Sequence, residues 1–334
     1  MEKVKVGIVG LGWVAQVVHL PILKRLPEAE VIAVCDRIKD RARLVSEKFG
    51  IKRFSTNPAD LFSNDDISAI IVCTPTDSHK DIAIAALHAH KHVLVEKPIA
   101  PTYHDAVQIA EAARQSRCKL MVGMNHRFRP DAMILKSFIE GGELGDIFYV
   151  RTGWLKRRNS DTGWLTQKNK SGGGVLLDLG IAIIDMALWM MGLPQARRVT
   201  ATHFSHTTKG VEDTSLLSIR TEHDALISAE VSWSMCLQDD MYHCQIFGTE
   251  GTASLNPLRI NKQLHGNLVN VAPAKLDPPE KLFRRSYENE IRHFLAAVRG
   301  VNPILSTADE AAERMRIIEA AYKSARTQKE VFLS

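Results

Sequence analysis

A glycine-rich turn near the amino terminus has the residue types and spacing of a phosphate-binding loop. The run Gly10-Leu11-Gly12-Trp13-Val14-Ala15 follows a short apolar run and opens a helical pattern. Gly10 permits a tight turn, Gly12 lets the backbone approach a pyrophosphate, and Ala15 allows a helix to pack closely on a strand. The free N–H groups that begin the helix would face the phosphates. A tight turn that binds nothing is the alternative, and the flanking strand and helix patterns favour a dinucleotide.

An acidic residue ends the second apolar run, about 20 residues beyond the glycine turn. Asp36 there would accept hydrogen bonds from the ribose hydroxyls of an adenosine and would repel a 2′-phosphate. This favours NAD over NADP. The adjacent Arg37 keeps NADP open, because an arginine either stacks on adenine or pairs with a 2′-phosphate.

Two further loops follow predicted strands at their carboxyl ends, where open parallel sheets bind ligands. Thr74, Pro75 and His79 belong to the first loop, and Glu96-Lys97-Pro98 forms the second. A lysine at a strand end can act as an acid or a base when burial lowers its pKa. On the residues alone, a surface lysine in a turn is the better explanation of Lys97.

An alternation of short apolar strands and amphipathic helices positions these loops. Strands of this kind, separated by helices, imply a parallel sheet covered on both faces. Right-handed crossovers then give an open, doubly wound α/β sheet. The predicted strands are Val4–Val9, Val31–Cys35, Ala69–Cys73, His92–Val95 and Leu120–Gly123, and the predicted helices are Val14–Leu26, Asp40–Phe49, Ser78–Ala89 and Tyr103–Gln115.

The pattern changes after Gly145, where strands follow one another with a single helix between them. Consecutive strands imply an antiparallel sheet with one open face. The predicted strands are Ile147–Thr152, Val199–Phe204, Thr214–Arg220, Leu226–Trp233, Tyr242–Phe247 and Val331–Leu333, and the predicted helices are Leu177–Met191, Tyr287–Arg299 and Ala308–Ser324.

Length and composition bound the class of protein. The 334 residues suggest two domains, which we place at 1–124 and 125–334. The excess of 43 Lys and Arg over 38 Asp and Glu is too mild and too dispersed for a nucleic-acid partner. Five cysteines without CxxC spacing argue against a disulfide framework and a metal site, and suit a reducing compartment. No apolar stretch approaches the ~20 residues that span a bilayer, and no signal peptide is evident. We therefore expect a cytoplasmic protein without a membrane partner.

Several motifs occur together along the whole chain. They are Gly10–Ala15, Cys73-Thr74-Pro75 with His79, Glu96-Lys97-Pro98, Asn125-His126-Arg127-Phe128, Gly141-Gly142-Glu143-Leu144-Gly145, Gly172-Gly173-Gly174, Asp178 with Gly180 and Asp185, and Phe247-Gly248-Thr249-Glu250-Gly251-Thr252. In this combination the chain resembles the glucose–fructose oxidoreductase, inositol dehydrogenase and rhizopine-catabolism (Gfo/Idh/MocA) family. The resemblance implies an N-terminal Rossmann domain and a C-terminal α+β domain with a large open, mostly antiparallel sheet. In this family the sheet face commonly packs between subunits, which implies a homodimer or homotetramer.

The resemblance also implies a reaction, namely reversible hydride transfer between a nicotinamide cofactor and a carbinol of a sugar, cyclitol or related compound. It makes Lys97 the catalytic lysine and places Asp178 on the substrate side as a second catalytic residue. The predicted cofactor contacts are Gly10, Gly12, Trp13, Val14, Asp36, Arg37, Thr74, Pro75, His79, Glu96, Lys97 and Asn125. The predicted substrate contacts are Lys97, Arg127, Trp154, Lys156, Arg157, Trp164, Asp178 and Ala182.

The catalytic helix departs from the family pattern Asp-x-Gly-x-His-x-x-Asp at one position. Ala182 stands where the family has a histidine that commonly serves as general acid/base. In one interpretation Lys97 transfers the proton, helped by Asp178 or a water; in another, a different histidine such as His126 fills the place. In the third, turnover has been lost and the protein is a regulator that binds cofactor or ligand. Because one acid–base group contributes about 10²–10⁴-fold, altered catalysis is favoured over none.

Residues 151–174 carry a concentrated positive charge, with six basic residues, one acidic residue and a net charge of +5. Arginine clamps carboxylates and phosphates, and tryptophan stacks on the apolar face of a sugar ring. Trp154 with Lys156, Arg157 and Arg158 therefore predicts an anionic substrate, which is a uronic acid, a sugar phosphate or a nucleotide-linked sugar. A solvated basic loop, or one that meets an acidic patch on a neighbouring subunit, is the open alternative.

Overall fold

Residues 3–157, 163–275 and 277–333 are described by a computed structural model, and they divide into two units. The first comprises Met1–Asn125 with Tyr287–Glu313, and the second comprises His126–Ser286 with Arg314–Ser334. The segment Tyr287–Glu313 joins the first unit through contacts such as the hydrogen bond from the Val122 N–H to the Ser306 carbonyl, at 3.0 Å. The sequence boundary after residue 124 stays a prediction, and it did not include this returning segment.

A parallel sheet forms the centre of the first unit. Its six described strands are β1 (Val4–Val9), β2 (Ala29–Cys35), β3 (Arg53–Ser55), β4 (Ala69–Val72), β5 (His92–Glu96) and β6 (Leu120–Gly123). They lie in the order β3-β2-β1-β4-β5-β6 with all pairs parallel. The order in which the chain adds strands to the sheet therefore reverses between β1 and β4. Folds of this kind bind ligands at that position. The predicted doubly wound sheet is confirmed. The sequence pattern missed β3, which has only three residues.

Helices lie between strands in both units. The described helices of the chain are α1 (Leu20–Leu23), α2 (Lys39–Phe49), α3 (Ala59–Phe62), α4 (His79–His88), α5 (Tyr103–Gln115), α6 (Pro130–Glu140), α7 (Lys168–Ser171), α8 (Ile181–Met190), α9 (Pro279–Val298) and α10 (Ala308–Thr327). A π-helical turn, Ala15–His19, precedes α1, and a second one, Leu176–Gly180, precedes α8. Turns of this type are frequent at functional sites.

A second sheet forms the centre of the second unit. Its nine described strands are β7 (Ile147–Arg157), β8 (Ala196–Phe204), β9 (Thr214–Thr221), β10 (Leu226–Met235), β11 (Met241–Gly248), β12 (Gly251–Leu255), β13 (Arg259–Leu264), β14 (Asn267–Asn270) and β15 (Val331–Phe332). The order is β14-β13-β12-β11-β7-β10-β9-β8-β15. Among the described strands β7 and β10 form a parallel pair and the other pairs are antiparallel. The predicted mostly antiparallel sheet is confirmed.

Helix α8 is buried on every side, which marks it as a core helix rather than an amphipathic surface helix. The helical run Lys168–Met190 is long and apolar enough to cross a membrane by length and composition alone, and 94% of its apolar window is buried inside the protein. The expectation that no apolar stretch approaches this length is therefore corrected. The run is apolar because it lies in the protein core.

A buried ion cluster holds α8 within the second unit. Arg127 donates from Nε and Nη2 to the two carboxylate oxygens of Asp185, at 2.7 and 2.6 Å. The Nε of Arg314 lies 2.6 Å from the same carboxylate. Burial raises the pKa of Asp185, but the charges and hydrogen bonds of the two guanidinium groups outweigh burial and lower it.

We expect Asp185→Asn to lower the free energy of unfolding by about 3–5 kcal/mol, because it leaves two buried guanidinium groups without their counter-ion. Urea denaturation followed by tryptophan fluorescence measures this, since four of the five tryptophans lie in the second unit. Asp224→Asn, which weakens the exposed pair with Arg220 in the same unit, should cost less than about 1 kcal/mol. Equal losses in the two variants would contradict the assignment.

Candidate active site

The glycine turn after β1 is pressed against the loop that follows β4. Gly10 has a φ of +90°, and a Cβ at this position would lie 2.6 Å from backbone atoms of Cys73 and Thr74. Gly12 is the opposite case, because a Cβ there would meet no described atom within 4 Å. The turn therefore has one closed side, which requires glycine for packing, and one open side. The open side at Gly12 leaves the room that the backbone needs to approach a pyrophosphate.

The Asp36 carboxylate ties this turn to the end of β2. It accepts the Leu11 N–H at 3.0 Å and the Ile38 N–H at 2.9 Å, and Nη1 of Arg41 lies 3.3 Å from it. A carboxylate has about four acceptor positions, so one remains for a ribose hydroxyl. The adjacent Arg37 is exposed. Together the turn and Asp36 fit a dinucleotide with an unphosphorylated adenosine ribose.

His79 joins the loop after β4 to the loop after β5. Its Nε2 lies 2.8 Å from the Thr74 carbonyl and its Nδ1 lies 2.9 Å from the Pro98 carbonyl. The side chain is 1% exposed, and burial lowers the pKa of His79. The Lys97–Pro98 peptide bond in the second loop is cis. The structure thus gives His79 a positioning role between two loops, while its predicted cofactor contact stays a prediction.

Glu96 is the last residue of β5, and its side chain bonds to His19, which the sequence did not identify as a site residue. The Nε2 of His19 lies 2.7 Å from Oε1 of Glu96. Burial raises the pKa of Glu96, but the His19 hydrogen bond and the nearby His19 and Lys97 charges outweigh burial and lower it. The one sequence signal for His19 was a histidine inside the apolar run Val17-Val18-His19-Leu20.

Asp178 lies in the second unit, on the π-helical turn before α8. The indole N–H of Trp233 donates to its Oδ2 at 3.2 Å. Ala182 follows four residues later and is buried. Asp178 is therefore oriented by a tryptophan on β10, which sequence reasoning did not identify as a site residue.

Close packing of Glu212 explains why the Gly172–Gly174 run has glycine at its end. The Glu212 carboxylate accepts the N–H groups of Gly174 at 3.1 Å and Leu176 at 3.0 Å, and the Tyr322 hydroxyl donates to it at 2.8 Å. A Cβ at Gly174 would lie 2.0 Å from the Glu212 carbonyl oxygen. Burial raises the pKa of Glu212. The glycines thus allow Glu212 to satisfy the N–H groups that begin the Asp178 turn.

An aromatic cluster of His126, Trp154 and Tyr242 lies elsewhere in the second unit. The His126 ring lies 5.0 Å from Trp154 and 5.3 Å from Tyr242, centroid to centroid. The Nζ of Lys156 lies 5.3 Å from the Trp154 ring centroid. Among the described residues no partner accepts or donates at the buried Tyr242 hydroxyl. The cluster combines apolar ring faces with polar groups, as sugar recognition requires.

The remaining predicted residues have different surroundings. Arg127 is fully buried and bonded to Asp185, so its position argues against the predicted substrate contact. Arg157 is exposed, and Trp164 is 37% exposed. Asn125 is buried in the first unit. Arg158 lies outside the described residues.

Two family models match the chain. The model described as "Oxidoreductase family, NAD-binding Rossmann fold" matches residues 4–124. The model described as "Oxidoreductase family, C-terminal alpha/beta domain" matches residues 136–333. These ranges cover the glycine turn and the lysine loop in one match, and the Asp178 turn and the aromatic residues Trp154 and Tyr242 in the other.

The chain is similar along its length to named enzymes. It is 28% identical to D-glucoside 3-dehydrogenase of Escherichia coli (strain K12), over 98% of this chain and 96% of that protein. It is 26% identical to scyllo-inositol 2-dehydrogenase (NAD(+)) of Bacillus subtilis (strain 168), over 92% and 90%. The crystal structure of GenD2 from gentamicin A biosynthesis, in complex with NAD, matches with a TM-score of 0.87 and 28% identity, over 100% of this chain and 97% of that one.

We expect the two glycines of the turn to respond differently to alanine. Gly10→Ala should lower the free energy of unfolding by at least about 1 kcal/mol, because its Cβ overlaps backbone and its φ is left-handed. Gly12→Ala should leave the melting temperature unchanged but weaken NAD binding by about tenfold or more, about 1.4 kcal/mol. Thermal denaturation and calorimetric titration with NAD measure the two effects. A Gly12→Ala protein that binds NAD normally would contradict the placement of the pyrophosphate.

Proposed function

Since the chain belongs to the Gfo/Idh/MocA oxidoreductase family, whose models match residues 4–124 and 136–333, we propose that it is an NAD-dependent sugar or cyclitol dehydrogenase. The reaction would interconvert a secondary alcohol of the substrate and the corresponding ketone. When bound, NAD+ would accept the hydride from the alcohol, and NADH would donate it to the ketone.

Membership of the family confirms several coarser predictions. The chain is an oxidoreductase of the dehydrogenase class that acts on CH–OH groups, it has an NAD-binding Rossmann fold, and its cofactor is NAD. The cytoplasmic location and the homodimer or homotetramer stay predictions. The sugar or cyclitol substrate is supported by two relatives, a D-glucoside 3-dehydrogenase and a scyllo-inositol 2-dehydrogenase.

Lys97 is the residue to which we assign proton transfer at the substrate oxygen. The observation that carries this assignment is the support around its loop, since His79 bonds to the Pro98 carbonyl on one side and His19 bonds to Glu96 on the other. Second-layer contacts of this kind hold a reacting side chain in one geometry. A lysine in an unconstrained surface turn needs no such support, so the surroundings favour a functional lysine.

Asp178 is assigned the orientation of the substrate hydroxyl. A carboxylate accepts hydrogen bonds from hydroxyl groups, and the bond from the Trp233 indole N–H fixes the orientation of this one. Ala182 has no proton to transfer, so the chemistry that the family gives to a histidine falls to Lys97 and Asp178 in this chain. His126 is an unsuitable replacement as described, because it is 7% exposed and packed between aromatic rings.

We expect Lys97→Ala to reduce kcat by about 10²–10⁴-fold, because it removes the acid–base group. Lys97→Arg should be similarly impaired, since a guanidinium keeps the charge but holds its proton at all working pH values. Absorbance of NADH, with a panel of polyols, glycosides and inositols, measures turnover. Full activity of Lys97→Arg would show that the charge alone matters. NAD binding without turnover of any compound by the unchanged protein would favour the regulator.

We further propose that the substrate is an anionic sugar, whose acidic group is bound by Lys156 and Arg157. The position of Lys156 supports this, because its Nζ lies 5.3 Å from the centroid of the Trp154 ring in the aromatic cluster. We expect Lys156→Gln and Arg157→Gln each to raise KM for a uronate or sugar phosphate by about tenfold or more. The KM for the neutral parent sugar should not change. Lys168→Gln is the matched control, since it removes one charge from the same basic segment without a predicted contact.

A further inference from the structure

Three titratable side chains of the first unit share one buried region next to the lysine loop. They are His19 and Glu290, which are fully buried, and Glu96, whose side chain is 12% exposed. We call them the Glu96 network. They come from three separate parts of the chain, the π-helical turn, the end of β5 and α9. Convergence of three ionisable groups in a protein interior is costly unless the groups are paired or neutral.

The two carboxyl groups of the Glu96 network have opposite environments. Burial and the charge of Glu96 raise the pKa of Glu290, with only the Met124 backbone acting against them. No described side chain bonds to either carboxyl oxygen of Glu290. Glu96 has the His19 hydrogen bond and the Lys97 charge in its favour. Glu96 is therefore the more acidic of the two carboxyl groups and carries the negative charge, while burial favours the protonated form of Glu290.

The direction of the hydrogen bond between His19 and Glu96 follows from this charge. An ionised carboxylate only accepts hydrogen bonds, so Nε2 of His19 carries the proton that faces Glu96. Among the described residues Nδ1 of His19 has no partner, and the ring packs edge-on against Tyr287 with centroids 6.0 Å apart. The hydrogen bond to Glu96 is thus the polar contact that fixes the imidazole.

Other groups also act on Glu96. The charged or titratable side chains that face it are His19 from the π-helical turn, Lys97 from its own loop, His79 from α4, and Glu290 from α9. The Cys73 thiol at the end of β4 is also near, and burial together with the Glu96 charge raises the pKa of that thiol. Of these, His19 bonds to the Glu96 side chain, with its Nε2 2.7 Å from Oε1.

We propose that His19 is a positioning residue that fixes the Glu96 carboxylate beside Lys97 through its Nε2, and that the fully buried Glu290, whose carboxyl oxygens bond to no described side chain, keeps its proton. This inference rests on the proposed proton transfer by Lys97. Glu96 is the last residue of β5 and the chain neighbour of Lys97, so the bond from His19 fixes the start of the loop that carries the lysine. The network thus makes the proton chemistry of Lys97 depend on a histidine that never touches the substrate.

Infrared spectroscopy of the carboxyl groups tests the charges without any turnover. We expect the protein at neutral pH to show the C=O stretch of one buried protonated carboxyl that disappears in Glu290→Gln. In His19→Leu a second such band should appear as the pH is lowered, at a higher pH than in the unchanged protein, and it should be absent from the double variant with Glu96→Gln. A folded His19→Leu protein in which Glu96 titrates as before would overturn the proposal. A missing Glu290 band would overturn the neutral state of Glu290.

Kinetics then tests the link to Lys97. In His19→Leu the acid limb of the kcat profile should move to higher pH by about one unit or more, because Glu96 then takes up a proton more readily. His19→Gln, which restores an N–H donor, should move it back, and KM should change less than kcat. His92→Leu is the matched control, since it removes a histidine from the opposite end of β5. An unchanged profile in His19→Leu would overturn the link. If no alcohol is oxidised by the unchanged protein, the proposed function fails, while the infrared bands still decide the charges of the Glu96 network.

Discussion

The close contact of two backbones at the carboxyl ends of β1 and β4 is the constraint on which the first unit depends. Gly10 leaves no room for a side chain there, so the turn after β1 and the loop after β4 meet without an intervening layer. The loop after β5, which carries Lys97, is joined through His79 to the loop after β4. A change in the contact between Gly10 and the loop after β4 would therefore also change the position of Lys97.

Buried carboxylates perform the same structural task at several places. Asp36 accepts the Leu11 N–H of the glycine turn, Glu212 accepts two N–H groups at the start of the Asp178 turn, and Asp185 pairs with two arginines. In each case an acidic side chain from one element satisfies donors on another. A buried charge of this kind contributes little to stability by itself, but its loss leaves donors unpaired, so it fixes one arrangement of the elements.

Much of the fold could be predicted because its information is local. Strand and helix periods predicted both sheets, and the glycine turn with Asp36 predicted the cofactor site, since each residue of that site lies close to a strand end. His19 and Glu290 could not be found in this way, because their importance comes from contacts between residues 77 or more positions apart, as in the pair of His19 with Glu96. The substrate contact of Arg127 stays a prediction, and its ion pair could not be found from the sequence for a related reason. A charged residue in a motif resembles a ligand contact until its partner, Asp185, is known to be buried with it.

The double use of Asp36 limits how the cofactor preference of this protein can evolve. The carboxylate that would discriminate against a phosphorylated ribose is also the acceptor of the Leu11 and Ile38 N–H groups. A lineage that exchanged Asp36 for a smaller neutral residue to admit NADP would lose both backbone acceptors in the same step. Such a change is accessible only from a sequence that already has stability to spare, so a compensating substitution elsewhere should precede the switch in preference.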